Sequence, residues 1–191
     1  MFEFVDQDMT MSLWIYGDAI QPEEEWGVLF EGWCPTWSME AYAPDPSGDV
    51  MWWTSEGVLY WKESTSTDWK GQWNHYAFVS DSAAEKLTLY CNGEIVEQTD
   101  GYLDRISDLQ TGFFTLGAWY EGMWGVYQGK MDEFRIYNYA LSQDEILTLA
   151  HQSEVYQPLL YPEVDLAEDG KINILDFAVL ASRWLERELW P

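Results

Sequence analysis

The sequence predicts an all-β antiparallel sandwich closed by a short helix, and three observations carry that prediction. Apolar and polar residues alternate with period two through a succession of short runs, the sign of strands with one face in a core. Turn residues separate these runs at the cadence of a sandwich. Asn92-Gly93, between the apolar run Leu87–Cys91 and Glu94–Gln98, supplies cheaply the two positive φ angles that a type I′ hairpin requires.

Strands are expected near residues 9–16, 26–33, 37–43, 50–54, 57–63, 73–80, 85–92, 94–98, 113–119 and 130–137. Asp45-Pro46-Ser47-Gly48-Asp49 has the residues of a tight loop. In the last strand Phe134 and Ile136 alternate with Glu133, Arg135 and Tyr137. Asp132 shares the parity of Phe134 and Ile136 and is read as pointing inward. An inward carboxylate needs compensation, by a bound cation, by backbone N–H groups or by a basic partner, which makes Asp132 a candidate metal ligand. Ser142-Gln143-Asp144-Glu145 reads as a capping box opening a helix near 143–150.

Residues 1–150 thus form the predicted sandwich. Residues 151–163, with two prolines and no periodicity, read as a linker. Residues 164–191 follow as a small loop-and-helix unit. Within it Asp165, Asp169, Asn173 and Asp176 have the spacing of side-chain ligands in an EF-hand calcium loop. Gly170 takes the tight-turn position, and Lys171 offers its carbonyl. The competing reading is an acidic turn that caps a helix. Phe177, Leu180, Ala181, Trp184 and Leu185 make one helical stripe.

Composition bounds the function. Thirty-four acidic against nine basic residues give a formal charge of −25, which disfavours nucleic acid or an anionic membrane as partner. Calcium, cationic polymers and neutral sugars remain compatible, and the balance suits an extracellular setting. No apolar run is long enough to span a bilayer, and Met1–Met9 lacks the character of a leader. Cys34 and Cys91 permit one disulfide without demanding it. Cys91 has the inward parity of Leu87 and Leu89, which points to a buried thiol.

Aromatic residues are the main functional signal. Seven tryptophans fall between Trp26 and Trp69, and Trp119, Tyr120 and Trp124 crowd a glycine-rich loop. Flat rings beside carboxylates and amides are what sugar recognition needs. Adjacent Trp52 and Trp53 must point to opposite faces of a strand, so one of them is expected outside. Trp52, Trp53, Trp119, Tyr120 and Trp124 are therefore the candidate ligand-binding residues. The same rings would serve a protein interface.

Catalysis has weaker support. The spacing E-x-D-x-x-E of retaining glucanases occurs at Glu163-Val164-Asp165-Leu166-Ala167-Glu168, outside the strands and overlapping the calcium loop. The two histidines, His75 and His151, have no evident nucleophile partners.

The run Gly129–Ile146 resembles the closing strand and helix of bacterial laminin-G-like jelly-roll domains of the concanavalin A-like lectin/glucanase fold, whose pattern reads G-x-h-D-E-h-R-I-Y-N-x-A-L-S-x-x-E-I, with h apolar. The stretches Trp73–Val79 and Leu87–Val96 are similar to that family's central hairpin. The resemblance covers about residues 8–150 and implies a jelly-roll, with calcium at the strand ends held by an acid at Asp132 and one from an N-terminal strand. That preceding strand is absent from this sequence, and the resemblance leads one to expect it from sequence elsewhere or from another chain. Residues 162–187 resemble one repeat of a type I dockerin, with Ala167 in place of a usual ligand and no second repeat.

The expected function is a secreted, non-catalytic binding module for a glycan or an extracellular protein partner, with structural calcium. The alternative is a self-assembling extracellular lattice or filament subunit, and glycoside hydrolysis ranks third.

Overall fold

In a computed structural model, the structure describes residues 8–34, 37–54, 57–101, 113–119 and 124–151. The chain divides into two compact units, Met1–Ala150 and His151–Pro191. The expected calcium loop of 165–176, with Asp165, Asp169, Lys171, Asn173 and Asp176, lies outside the described residues, as do residues 1–7 and Tyr120.

The first unit is the predicted antiparallel sandwich. Its strands are β1 (Met9–Gly17), β2 (Val28–Cys34), β3 (Trp37–Tyr42), β4 (Val50–Thr54), β5 (Gly57–Trp61), β6 (Asn74–Asp81), β7 (Lys86–Cys91), β8 (Glu94–Asp100), β9 (Phe113–Leu116) and β10 (Gly129–Tyr137). They form two five-stranded sheets, ordered β10-β1-β6-β7-β8 (the first sheet) and β5-β4-β3-β2-β9 (the second sheet). The core lies between them. Met11, Leu13, Ile15, Phe78 and Leu89 from the first sheet meet Phe30, Met39, Ala41, Trp52 and Leu59 from the second. Phe30 sets its ring edge-on to Phe78, with centroids 5.0 Å apart.

Local signals behave as their chemistry dictates. Asn92 and Gly93 adopt φ of 51° and 87°, closing the β7–β8 hairpin. The Asp45 carboxylate accepts hydrogen bonds from the N–H groups of Ser47 and Asp49 and ties the proline loop. Ser142 and Glu145 cap helix α2 (Gln143–His151) reciprocally: the Ser142 N–H donates to Glu145 Oε2 at 2.8 Å, and the Glu145 N–H donates back to Ser142 Oγ at 3.4 Å. Ile146 and Leu149 of α2 then cover Ala77, Val79 and Tyr90 on the outer face of the first sheet.

A one-turn helix α1 (Ser66–Trp69) was not expected. Its signal is a capping box between Thr65 and Asp68, and it inserts Trp69 into the core. Cys91 is a buried free thiol beside Tyr76, and burial pushes its pKa up to about 12.

The expectation for Asp132 is corrected. Ser12 pairs with Arg135 but Trp14 pairs with Asp132, so two residues of β10 oppose Leu13 alone. This β-bulge, with Glu133 at φ 50°, switches the facing of the strand. Met131 and Phe134 both pack on the core, while Asp132 is exposed. Its Oδ1 accepts the Glu133 N–H at 2.8 Å.

Candidate functional site

The outer face of the second sheet presents one row of side chains drawn from all five strands. Register pairs Thr115 with Glu31, Glu31 with Glu40, Glu40 with Trp53, and Trp53 with Val58. Partners that face each other in this way share one side of the sheet. Phe30, Met39, Ala41 and Trp52 point the other way into the core, so the alternation of the strands themselves brings the two glutamates out.

Aromatic rings surround that row. On one side Trp26, Tyr42 and Trp119 pack together, with centroid separations of 4.5 Å for Trp26–Tyr42, 5.3 Å for Trp26–Trp119 and 5.4 Å for Tyr42–Trp119. Tyr42 and Met51 are buried beneath them, while Trp53 is half-exposed. Tyr60, 38% exposed, ends the row Val28–Tyr42–Met51–Tyr60. On the other side Trp33 stacks on Phe113 at 5.7 Å, and both are substantially exposed.

The carboxylates sit low among these rings. Glu31 is only 4% exposed. Trp119 donates its indole N–H to Glu40 Oε2 at 2.9 Å, and Thr115, whose hydroxyl also donates to the Ala118 carbonyl at 2.7 Å, lies 3.5 Å from Glu31 Oε2. Burial raises the pKa of Glu40, the Trp119 hydrogen bond opposes that rise, and the charge of Glu31 adds to it. A cleft of about 470 Å³ adjoins Trp26 and is bordered by Glu24, Glu25, Val126 and Gln128.

The sequence-predicted residues separate. Trp53 and Trp119 come together on this face. Trp124, 67% exposed, is bridged to Trp119 through a backbone hydrogen bond. Trp52 is a correction: with no exposed surface it is a core residue, because alternation gives the outside to Trp53. Asp132 lies on the other sheet, and among the described residues no three His, Cys, Asp or Glu side chains are grouped closely enough to hold a metal ion. The sequence reading missed Glu31 and Glu40. Their signal is a single acid at the centre of each apolar strand, in Phe30-Glu31-Gly32-Trp33 and Met39-Glu40-Ala41-Tyr42.

Residues 2–147 match the profile of a laminin-G-type family described as the concanavalin A-like lectin/glucanases superfamily. The chain belongs to this family. Several solved structures are similar to it in fold. Domain 4 of AbnA, a GH43 extracellular arabinanase from Geobacillus stearothermophilus, in complex with arabinotriose, is 24% identical with a TM-score of 0.58, over 76% of this chain and 67% of that one. The CBM40 of the Ruminococcus gnavus IT-sialidase, bound to α2,3-sialyllactose, is 17% identical with a TM-score of 0.54, over 77% and 84%. A putative carbohydrate-binding protein from Bacteroides ovatus is 17% identical with a TM-score of 0.56, over 74% of this chain and 40% of that one. These likenesses establish the fold. No curated protein matches the chain. Among the described residues, no helix of this concanavalin A-like chain is long and apolar enough to cross a membrane.

Proposed function

We propose that the chain is an extracellular, non-catalytic glycan-binding module whose contact surface is the outer face of the second sheet. The observation that carries this reading is the row Thr115–Glu31–Glu40–Trp53, in which carboxylates lie between half-exposed tryptophan rings. Pyranose rings stack on such faces while their hydroxyls donate to the carboxylates. Related domains described as bound to arabinotriose or sialyllactose support the assignment. Calcium in the loop Asp165–Asp176 is a structural ion in this reading, tested by a rise in melting temperature on adding calcium that Asp176→Ala abolishes.

The test of glycan binding is affinity electrophoresis and calorimetry of the whole chain across a panel of neutral, acidic and amino polysaccharides. Binding to at least one, weakened by Trp53→Ala, is the expected result. A flat response across the panel refutes it.

A second reading, self-association, draws on β9, the outermost strand of the second sheet among the described residues. There Phe113 and Leu116, with neighbouring Trp33, expose 36%, 47% and 43% of their surfaces. Sedimentation that stays monomeric at high concentration rules it out.

A further inference from the structure

Asn92 is followed by glycine, whereas the other three asparagines precede His75, Tyr139 and Ile174. That dipeptide is chemically labile. Gly93 has no side chain to obstruct its main-chain nitrogen from closing on the Asn92 amide carbon into a five-membered imide. The residues after the other asparagines each carry a Cβ that crowds the same attack.

The surroundings prepare both reacting groups. Asn92 is exposed at the tip of the β7–β8 hairpin, within reach of water. The His75 N–H donates to Asn92 Oδ1 at 2.9 Å, so negative charge that develops on this oxygen meets a donor already in place. Among the described residues no acceptor takes the Gly93 N–H, which leaves the nucleophile uncommitted.

The product fits the turn badly. Asn92 Nδ2 donates to Asn74 Oδ1 at 2.9 Å, and the Asn74 amide cannot turn over without giving up the bond from its Nδ2 to the Thr67 carbonyl, also 2.9 Å. A carboxylate at position 92 therefore sets acceptor against acceptor beside Asn74, which is 1% exposed. Leu147 of α2 rests on Gly93, so close that a Cβ there would lie 2.7 Å from its Cδ2, and a change in the turn is passed to the helix.

We propose that Asn92 is a self-modification site: it deamidates spontaneously in the folded chain, and the product loosens the hairpin. The Gly93 nitrogen loses its proton to solvent base and bonds to Asn92 Cγ. The Cγ–Nδ2 bond breaks, and the nitrogen leaves with the electron pair as ammonia, protonated from water. Water then opens the imide at either carbonyl. One opening gives aspartate, and the other gives its β-linked isomer, which adds a methylene to the main chain of the turn. No enzyme, oxidant or reductant takes part.

The test is peptide mapping by mass spectrometry of the whole chain held folded at mildly alkaline pH, beside a sample unfolded in urea. In the folded sample Asn92 is expected to convert at least about tenfold faster than Asn74, Asn138 or Asn173. Conversion of Asn92 confined to the urea sample, or no faster than that of the other asparagines, overturns the proposal. The converted chain, separated by anion exchange on its added charge, should melt a few degrees below the unconverted chain, as should Asn92→Asp. Equal melting of the converted and unconverted chains overturns the loosening. Both measurements use the wild-type chain and decide the matter even if the variant fails to fold.

Discussion

Thr10 and Leu141 lie 131 positions apart, yet one buried hydroxyl joins them: Thr10 Oγ1 accepts the Leu141 N–H at 2.9 Å. The same hydroxyl donates to the Tyr139 carbonyl, also at 2.9 Å. It thereby fixes the chain between β10 and α2 against β1, in a place with no exposed Thr10 surface.

Thr10→Val keeps the shape and leaves both backbone groups without their partner. Stability should fall by about 1–3 kcal/mol, and Thr10→Ser should retain most of it. Urea denaturation of the three chains checks this, with an unchanged midpoint for Thr10→Val counting against the role.

The bulge residue Glu133 stands in the left-handed region, where glycine is at ease and a β-branched residue is not. Glu133→Gly should raise stability by about 1 kcal/mol, less whatever the surface ion pair with Arg135 contributes. Glu133→Val should lower it. Melting temperatures of both variants provide the check.

The raised pKa of Glu40 has a defined sign in stability. A carboxyl whose folded pKa lies above its ordinary 4.5 contributes stability that is present below that value and is lost as pH rises through the folded pKa. Glu40→Gln cannot ionise. Its stability relative to wild type should therefore improve steadily from acid to neutral pH, and parallel melting curves with no such divergence would contradict the burial argument.

His75 works in the opposite direction. It is 2% exposed, its ring lies 5.3 Å from that of Trp14, and burial, with the charge of Arg135 adding to it, lowers its pKa to about 4. Its folded pKa lies below the unfolded value of 6.5, so the neutral ring contributes stability above pH 6.5 that is lost as pH falls through about 4. The loss is on the order of 3 kcal/mol at most. His75→Phe should flatten that acid limb in a series of melts at falling pH.

The strands were legible because their alternation is local and uninterrupted, as in Leu87–Cys91 or Met9–Tyr16. The Ser142–Glu145 cap and the Asn92-Gly93 turn were legible for the same reason: each is a few adjacent residues with one cheap conformation. The carboxylate row was not, since it depends on which residue faces which across strands. That register passes through an irregularity between Val28 and Phe30 that no single residue announces. Asp132 was misread for a related reason. Its facing turns on a bulge whose left-handed position is held by Glu133 rather than by a glycine that would have marked it. Trp53 could be paired with Trp52 as alternatives from sequence, but choosing between them required knowing which side held the core.

Thr10 faces Tyr137 across β1 and β10, so the first and last strands among the described residues are hydrogen-bonded neighbours. The start of β1 and the end of β10 therefore lie side by side, on the sheet that does not carry the carboxylate row. Adjacent strand ends of this kind suit a domain to permutation. Joining its ends through a short linker and reopening the chain at the Asp81–Lys86 turn should give a circular permutant that keeps its binding face.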